Sequence, residues 1–354
     1  MPNAKIPVLV LGGTGYVAGE VLRLVVGHPA FELAGVMSDS QPGERVGNAF
    51  PHLAAVLADL RFKSQADIET LICSIPRTAV FAAAPHGVSA TLIDTLLSKA
   101  AAAGTQPRVV DTSADYRFRT AEAYAAVYQH PHGAPDRLHD FSCAVPEHLA
   151  KAATPHIAHP GCFATTTLLA VVPLLAMGLV TPTLFVSGIT GSTGSGRKPV
   201  DGTHHPLRHS DLYSYNALVH RHTMEIRDCA QAASGVAADI AFVPHSGPFA
   251  RGIHVTVQAV LKQPLDSAAV IAKLREYYAK APFIRVLESA PRVKDVVASN
   301  YAHLSAAANG RTVAVMSVAD NLNKGAAGGA VQWMNRLFEL PETTGLTAPA
   351  AGWT

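Results

Sequence analysis

The segment HPGCFATTT, residues 159–167, places a cysteine between a Pro-Gly pair and an apolar run typical of a helix. Pro160 and Gly161 interrupt the preceding segment, so the sequence predicts that Cys162 lies at or near a helix N-terminus. The helix dipole and the unpaired amides of a first turn favour a thiolate there. Cys162 is therefore a candidate nucleophile, with a small buried hydrophobe as the plainer interpretation.

Two histidines stand close together in HRHTMEI, residues 220–226, with Thr223 as a candidate cap of a predicted helix. Side chains two positions apart do not share a helix face, which argues against joint metal binding by His220 and His222. One imidazole beside a cysteine suits acid–base chemistry near neutral pH. Surface or capping histidines are the plainer interpretation. A metal site is a third, supported by three histidines upstream, His204, His205 and His209.

A glycine-rich turn, LGGTGYVAGE, follows the apolar run 6–11 and precedes a helical pattern. Glycines at such a turn let the backbone approach a pyrophosphate, and the following helix N-terminus attracts its charge. The spacing departs from GxGxxG, yet its position between strand and helix predicts dinucleotide binding. Asp39, at the end of the second predicted strand, is a candidate for the ribose hydroxyls.

Cationic side chains near other predicted turns are candidates for binding anions. GSTGSGRKP, residues 191–199, is a Gly/Ser-rich loop that ends in Arg197 and Lys198. Its amides and cations could hold an anionic substrate or order a lid, or the loop could be a flexible hairpin. Arg117 lies just past a strand end, where doubly wound sheets bind ligands.

The elements that position these residues fall into two patterns. Up to about residue 155, short apolar strands alternate with helices, which indicates an α/β, Rossmann-type, doubly wound parallel sheet. Longer strands follow at 183–192 and 251–261, the latter alternating polar and apolar residues, which predicts an α+β domain with a mixed sheet. We therefore predict a cofactor-binding domain over 1–158, completed by a returning helix within 324–354, and a catalytic, substrate and oligomerisation domain over 159–323.

Composition excludes several classes of protein. The 354 residues are 49% hydrophobic and 15% charged with a formal net charge of +2, which excludes a disordered chain. No basic run is dense enough to bind along a nucleic-acid backbone. The sequence contains no run of about 18 uncharged apolar residues, so no membrane span is predicted. The four cysteines are scattered without a CxxC, so the sequence predicts a cytoplasmic protein without a disulfide framework.

Taken in order, these motifs resemble those of the N-acetyl-gamma-glutamyl-phosphate reductase family, which is similar in fold and chemistry to aspartate-semialdehyde dehydrogenase. The resemblance covers essentially the whole chain. It is carried by GGTGYVAGE, APHGVS (84–89), DTSADYRF (111–118), VPEHL (145–149), HPGC, GSGRKP, HRHTMEI, FARGI and SVADNLNKGAAGGAVQWMN (317–335).

The resemblance implies reduction of an acyl phosphate to an aldehyde with NADPH, in arginine biosynthesis, through a thioester on Cys162. It favours His222 over His220 as the acid–base group and assigns Arg117 to phosphate. The candidates for other substrate anions are Arg197, Lys198 and Arg251. The predicted contacts to NADPH or NADP+ are Gly12, Gly13, Thr14, Gly15, Tyr16, Val17, Ser38, Arg45, Pro85 and Asn321.

The partners implied are a small acyl phosphate substrate and inorganic phosphate, within a homotetramer or homodimer. Neither nucleic acid nor membrane is expected as a partner, and no metal is assigned. Homologous acyl phosphates of lysine biosynthesis, carrying an aminoadipyl or carrier-protein-linked chain, are the alternative substrates. A catalytically idle nucleotide-binding regulator is the alternative outside enzymes.

Three positions depart from the family pattern. Ala164 stands where the family often has proline, and Gly329 replaces a frequent glutamine. Ser38 is followed by Asp39, where the family usually has an arginine that pairs with the 2′-phosphate of NADP. A carboxylate there favours NAD, whereas Ser38, Ser40 and Arg45 can supply donors to a 2′-phosphate. We predict NADP as the cofactor, with Asp39 pointing to solvent.

Overall fold

The structure is a computed structural model that describes residues 4–352. The chain divides into two compact units. Among the described residues, the first contains residues 4–143, Lys151–His159 and Ala330–Leu346, and the second contains Ala144–Ala150, Pro160–Gly329 and residues 347–352. The segment Ala144–Ala150 therefore groups with the second unit, although the sequence pattern placed it in the first domain.

The first unit is built on a parallel sheet of six strands within its described residues, in the order β2-β1-β3-β4-β6-β5. Its strands are β1 (Ile6–Leu11), β2 (Phe31–Val36), β3 (Ala79–Ala82), β4 (Arg108–Asp111), β5 (Phe141–Cys143) and β6 (His156–Ala158). Its helices are α1 (Tyr16–Val26), α2 (Val46–Ala49), α3 (Gln65–Ser74), α4 (Ser89–Ala103) and α5 (Ala121–Tyr128).

Strand burial explains why this sheet is parallel. All four residues of β3 are buried, as are the last four of β1, and such continuous apolar runs suit strands covered on both faces. Helices α1 and α4 each bury an apolar stripe, and α3 begins with a capping box between Ser64 and Asp67. The predicted doubly wound α/β sheet is confirmed.

The second unit contains a mixed sheet of seven strands among the residues described, in the order β11-β12-β13-β10-β7-β9-β8. Its strands are β7 (Val180–Thr190), β8 (Tyr213–Ser214), β9 (Asp239–Ser246), β10 (Ile253–Leu261), β11 (Ile284–Val286), β12 (Ala302–Asn309) and β13 (Thr312–Ala319). Its helices are α6 (Cys162–Ala176), α7 (His205–Arg208), α8 (His222–Ser234) and α9 (Ser267–Tyr277).

One face of this second sheet is packed and the other is open in the single chain. Along β10 the apolar residues at alternate positions are buried, whereas Gln258 and Val260 are exposed, as the alternating pattern predicted. Helix α6 is apolar all round, and thirteen of its fifteen residues are buried. A helix of that character belongs in a core, and α6 packs on the central strands β7 and β10.

The tail predicted as one returning helix from Lys324 is instead two elements. A π-helical turn covers Asn323–Ala327, and α10 (Gly328–Leu337) follows it directly. The π-helical turn belongs to the second unit, and from Ala330 onward the chain groups with the first. Hydrophobic periodicity does not distinguish a π-turn from an α-turn over five residues, so the sequence did not show this change. In the described part of the chain, no helix has both the length and the apolarity of a membrane span.

Candidate active site

Cys162 is the first residue of α6, as the sequence predicted. Gly161 is the N-cap and gives the helix no side-chain cap, and the first turn carries no acidic residue. The backbone of Cys162 is held at its carbonyl, which accepts a hydrogen bond of 2.9 Å from Thr166 Oγ1. The Cys162 side chain is partly buried, and the helix N-terminus beside it favours the thiolate form.

Glu225 anchors this helix start to α8. Its Oε1 accepts a hydrogen bond of 2.5 Å from the backbone N–H of Gly161, and its side chain is almost fully buried. A buried carboxylate with a backbone donor is a strong tie in a low-dielectric interior. Sequence reasoning quoted HRHTMEI for its histidines and missed this residue, because its role depends on a contact with Gly161, which is distant along the chain.

The two histidines flank the beginning of α8. His222 is the first helical residue and His220 precedes the helix, so the argument from helical spacing does not apply to them. Their rings are T-shaped with centroids 4.8 Å apart, and both lie near the ring of Phe163 on α6, at 6.0 Å for His220 and 6.5 Å for His222. Thr223 lies inside the helix, so its predicted capping role is wrong.

His220 is held in one neutral tautomer. Its Nδ1 accepts a hydrogen bond of 3.2 Å from the backbone N–H of His222, which leaves the ring proton on Nε2. Burial, with a smaller contribution from the charge of Arg221, lowers the pKa of His220 to about 4. His220 is therefore a neutral donor near pH 7 rather than a proton reservoir, which leaves His222 as the better acid–base candidate.

Tyr215 belongs to the same site, although the sequence analysis did not single it out. Its ring lies T-shaped against His220 with centroids 5.6 Å apart. Burial raises the pKa of its hydroxyl, and the negative charge of a Cys162 thiolate nearby raises that pKa further. The hydroxyl thus stays protonated beside Cys162 and can donate a hydrogen bond.

Arg251 is tied to Asp320 in an ion pair. Its Nε lies 2.6 Å from Asp320 Oδ2, and the Asp320 side chain is fully buried. The other carboxylate oxygen of Asp320 accepts hydrogen bonds from the backbone N–H groups of Leu322 and Asn323. Asp320 therefore orients Arg251 and also holds the start of the π-helical turn.

The loop that carries Arg197 and Lys198 is joined to the loop that carries Arg251. The backbone of Thr193 donates to the carbonyl of Ala250, and Ser192 donates to Phe249. Arg197 and Lys198 are exposed. The three cations predicted for substrate anions thus lie on two neighbouring loops of the second unit.

Asn321, predicted as a cofactor contact, is buried and its amide binds protein groups. Its Oδ1 accepts from the backbone N–H of Gly252 at 2.7 Å, and its Nδ2 donates to Thr193 Oγ1 at 3.0 Å. This amide therefore links the loop that contains Thr193 to the loop that contains Gly252. Asn321 lies in the second unit, whereas the other predicted cofactor residues lie in the first, and its cofactor role stays a prediction.

Within the glycine-rich turn of the first unit, Gly15 has open space where a side chain would lie, and Gly12 and Gly13 do not. Gly12 has a φ of +74°, and a Cβ there would lie 2.5 Å from the backbone of Ala84. A Cβ on Gly13 would meet the carbonyl of Met37 at 2.6 Å. Gly15 is the N-cap of α1, and nothing lies within 4 Å of a Cβ placed there. Gly12 and Gly13 allow close backbone packing, while Gly15 leaves an open helix N-terminus that fits a pyrophosphate. The cofactor contacts of all three glycines stay predictions.

Thr14, Tyr16 and Val17 surround that open position. Tyr16 and Val17 begin α1, where backbone N–H groups have no partner within the helix. Tyr16 is exposed, and Thr14 and Val17 are partly buried. The four-residue stretch 14–17 thus presents first-turn amides of the kind that can bind the pyrophosphate of a dinucleotide.

Cations surround the loop that follows β2. Arg45 forms an isolated antiparallel bridge with Arg61, and both side chains are exposed. Residues paired in this way have Cβ atoms about 4.5–5.5 Å apart, so Arg61 is a second candidate for a 2′-phosphate that the sequence analysis missed. Ser38 is buried and its Oγ accepts from the backbone N–H of Gln41 at 3.2 Å. Asp39 is exposed, as predicted.

Arg117 is buried at the carboxyl ends of two strands in the first unit. Its Nε donates to the carbonyl of His159 at 3.0 Å, and its Nη2 donates to the carbonyl of Thr112 at 2.8 Å. These bonds fix the guanidinium where parallel sheets bind ligands. They also show that Arg117 clamps the chain after β4 and β6, so its role toward phosphate stays a prediction.

The loop that contains Pro85 is shaped by Asp115. Both carboxylate oxygens of Asp115 accept from the backbone N–H of Gly87, and Oδ2 also accepts from Ala90 at 2.9 Å. Pro85 is exposed on this loop between β3 and α4. Two motifs that the sequence showed separately, APHGVS and DTSADYRF, are therefore one structural unit.

The upstream histidines considered for a metal lie on and beside the short helix α7. The rings of His205 and His209 have centroids 5.1 Å apart, and all three side chains are exposed. Across residues 4–352, no group of three or more His, Cys, Asp or Glu side chains is arranged to hold a metal ion.

Two family descriptions match consecutive parts of the chain. Residues 7–162 match the family described as semialdehyde dehydrogenase, NAD binding domain. Residues 162–321 match the semialdehyde dehydrogenase dimerisation domain. Cys162 stands at the junction of the two matches.

Solved structures share the fold at low sequence identity. Aspartate semialdehyde dehydrogenase II from Vibrio cholerae superposes with a TM-score of 0.69 at 16% identity, covering 95% of this chain and 99% of that one. A probable aspartate-semialdehyde dehydrogenase from Pseudomonas aeruginosa gives a TM-score of 0.65 at 20% identity, covering 95% and 98%. These structures show the fold alone.

Curated relatives are much more similar in sequence. The N-acetyl-gamma-glutamyl-phosphate reductase of Ectopseudomonas mendocina is 39% identical, covering 98% of this chain and 99% of the relative. The enzyme of that name from Desulforudis audaxviator is 35% identical, covering 97% and 99%. Identity at this level over both full lengths shows that the chain belongs to the N-acetyl-gamma-glutamyl-phosphate reductase family.

Proposed function

We propose that the protein reduces N-acetyl-gamma-glutamyl phosphate to N-acetylglutamate 5-semialdehyde with NADPH, in arginine biosynthesis. The observation that carries the proposal is Cys162 at the uncapped start of α6, tied through Glu225 to the helix that begins at His222. Relatives that match along the whole chain bear the name of this activity. The aminoadipyl and carrier-linked substrates are not favoured, because these relatives are named for the glutamyl substrate.

The first chemical step forms a thioester. The Cys162 thiolate attacks the carbonyl carbon of the acyl phosphate, and the C–O bond to phosphate breaks, releasing inorganic phosphate. Negative charge on the carbonyl oxygen during this step is stabilised by first-turn amides of α6 and by donors such as Tyr215. Arg117, Arg197, Lys198 and Arg251 are the proposed partners of the substrate's anionic groups.

The second step reduces the thioester. When it is bound, the cofactor supplies a hydride to the thioester carbon. His222 protonates the resulting oxygen to give a hemithioacetal, and then removes that proton as the carbon–sulfur bond breaks. The aldehyde leaves and the Cys162 thiolate returns. Neutral His220 holds the backbone of His222 and donates through Nε2, which orients the reacting oxygen.

The first unit is proposed to hold NADPH. The open N-terminus of α1 at Gly15 fits the pyrophosphate, and Arg45 and Arg61 offer a cationic pair for the 2′-phosphate. Ser38 lies at the start of the same loop, while Asp39 points its charge into solvent. The second unit is proposed as the catalytic and oligomerisation domain.

The protein is proposed to act in the cytoplasm as a homodimer or homotetramer. The second unit matches a dimerisation domain, and its sheet leaves Phe185 and Val260 exposed in the single chain. Apolar residues on an open sheet face are typical of a surface that a second copy covers. The four cysteines form no disulfide, which suits a reducing compartment.

The proposed function is tested in the reverse direction. N-acetylglutamate semialdehyde, inorganic phosphate and NADP+ should give NADPH formation that requires phosphate. The aminoadipate semialdehyde analogue serves as the matched substrate control, and NAD+ serves as the cofactor control. Equal turnover of the two semialdehydes, or turnover without phosphate, would contradict the assignment.

A further inference from the structure

Gly325, in the π-helical turn Asn323–Ala327, lies against Cys162 so closely that no side chain fits between them. A Cβ placed on Gly325 would lie 2.8 Å from Cys162 Cβ and 3.1 Å from its Cα. Carbon atoms pack at about 3.5–4.0 Å, so the overlap would approach 1 Å. The backbone of the π-helical turn therefore forms one wall beside the thiol-bearing carbon.

The π-helical turn cannot easily move away from that contact. The N–H of Gly325 donates to the carbonyl of Asp320 at 2.9 Å, and the Asp320 side chain accepts from the first N–H groups of the turn. Lys324 is fully buried, and its Nζ lies 2.5 Å from Glu147 Oε1. Asn323 donates to the carbonyl of Ala298 at 3.1 Å. These ties hold Gly325 and the residues of the turn that precede it.

Cys162 is equally constrained from its own side. The α6 start is held by Glu225 at Gly161 and by Thr166 at the Cys162 carbonyl. A side chain added at position 325 would therefore rotate the Cys162 side chain or shift the start of α6, because both the π-helical turn and the helix start are held in place. π-turns inside helices occur frequently at functional sites, which fits a turn used for positioning.

We propose that Gly325 is a positioning residue for the nucleophile, whose missing side chain lets the π-helical turn set the direction of the Cys162 Cβ–Sγ bond. The inference rests on the proposed function, in which Cys162 attacks the substrate. It gives Gly325, the first glycine of the GAAGG stretch, a role in positioning Cys162. Asp320, whose side chain holds the start of the same turn, also pairs with Arg251, so the ion pair and the wall beside Cys162 are parts of one connected element.

The test compares Gly325→Ala with the control variant Gly27→Ala, which adds the same methyl group where the nearest atom is 3.9 Å away. We expect Gly325→Ala to lower kcat about 10- to 100-fold, because a misplacement near 1 Å can cost about 100-fold. The pH profile of Cys162 alkylation by iodoacetamide should shift in this variant and stay unchanged in the control.

A double substitution makes the contact measurable without turnover. If the methyl group of Gly325→Ala strikes Cys162 Cβ, then Cys162→Gly should restore the melting temperature that Gly325→Ala loses, whereas Cys162→Ser should not. This readout stays valid if Gly325→Ala alone folds poorly. Equal loss in both double variants, or wild-type alkylation and kcat in folded Gly325→Ala, would overturn the inference.

The outcomes separate this inference from the proposed function. If Cys162→Ser retained full turnover, the nucleophile assignment would fail while the steric coupling between positions 162 and 325 could still be measured. If Cys162→Ser abolished turnover and Gly325→Ala behaved as wild type in every readout, only the positioning role would be lost.

Discussion

Two helices of this protein, α1 and α6, begin in the same way, and we propose that they serve different anions. Each has a glycine N-cap without a side-chain cap, and neither carries an acidic residue in its first turn. At Gly15 the space beyond the backbone is open. At Gly161 the N–H is bound by Glu225, and Gly325 packs on the next residue. The positive end of a helix can therefore stabilise either the phosphate of a bound ligand or the thiolate of its own cysteine. The packing around the helix start determines which of the two anions has space.

The largest effect is expected at the start of α6, where Cys162 lies. Cys162→Ser should lower turnover about 10⁴-fold or more, because a serine hydroxyl has almost no anionic fraction at neutral pH and removing a nucleophile has effects of that order. Cofactor binding, followed by NADPH fluorescence, should be unchanged. Cys229→Ser is the matched control and should retain turnover. Substantial reduction by the Cys162→Ser variant would exclude the thioester.

The histidines should separate by role. His222→Asn should lower kcat about 10²- to 10⁴-fold, the range for loss of a general acid–base group. His220→Asn should cost less, because neutral His220 orients rather than transfers the proton. Steady-state kinetics of both variants, with equal folding checked by circular dichroism, measures the ranking. A larger loss for His220→Asn would exchange their assignments.

The start of α1 at Gly15 is tested by introducing a negative charge. Gly15→Glu should raise KM for NADPH about tenfold, because a carboxylate at the α1 N-terminus repels the pyrophosphate, and tenfold corresponds to about 1.4 kcal/mol. Gly27→Glu puts the same charge at the other end of α1 and is the control. Alkylation of Cys162 should be unchanged in both variants. If the two variants raised KM equally, the pyrophosphate would lie elsewhere.

The smallest effect concerns cofactor choice. Arg45→Ala and Arg61→Ala should each raise KM for NADPH several-fold and leave KM for NADH unchanged, because exposed charge-assisted contacts contribute modestly, about 1 kcal/mol. Lys5→Ala, another exposed cation of the first unit, should change neither KM. Parallel titrations with both cofactors give the comparison. A matching rise in KM for NADH would remove the two arginines from 2′-phosphate recognition.

Sequence reasoning reached the α6 start because Pro160 and Gly161 are strong local signals. It also placed β1 and β10 correctly, since continuous and alternating apolar patterns distinguish two-sided from one-sided burial. It could not predict roles for Glu225, Asp320 or Arg61, because these roles arise from contacts with residues that are distant along the chain. The π-helical turn was hidden for a different reason, because five helical residues look the same in either helix type.

The central claim is that Cys162 carries the acyl group. Its most direct test mixes enzyme and acyl phosphate without cofactor, quenches in acid and measures phosphate release together with the intact and peptide masses. The account predicts one equivalent of phosphate per active site and an N-acetylglutamyl adduct on the peptide that contains Cys162, both absent in Cys162→Ser. Phosphate release without an adduct, or an adduct on Cys73, Cys143 or Cys229, would contradict it.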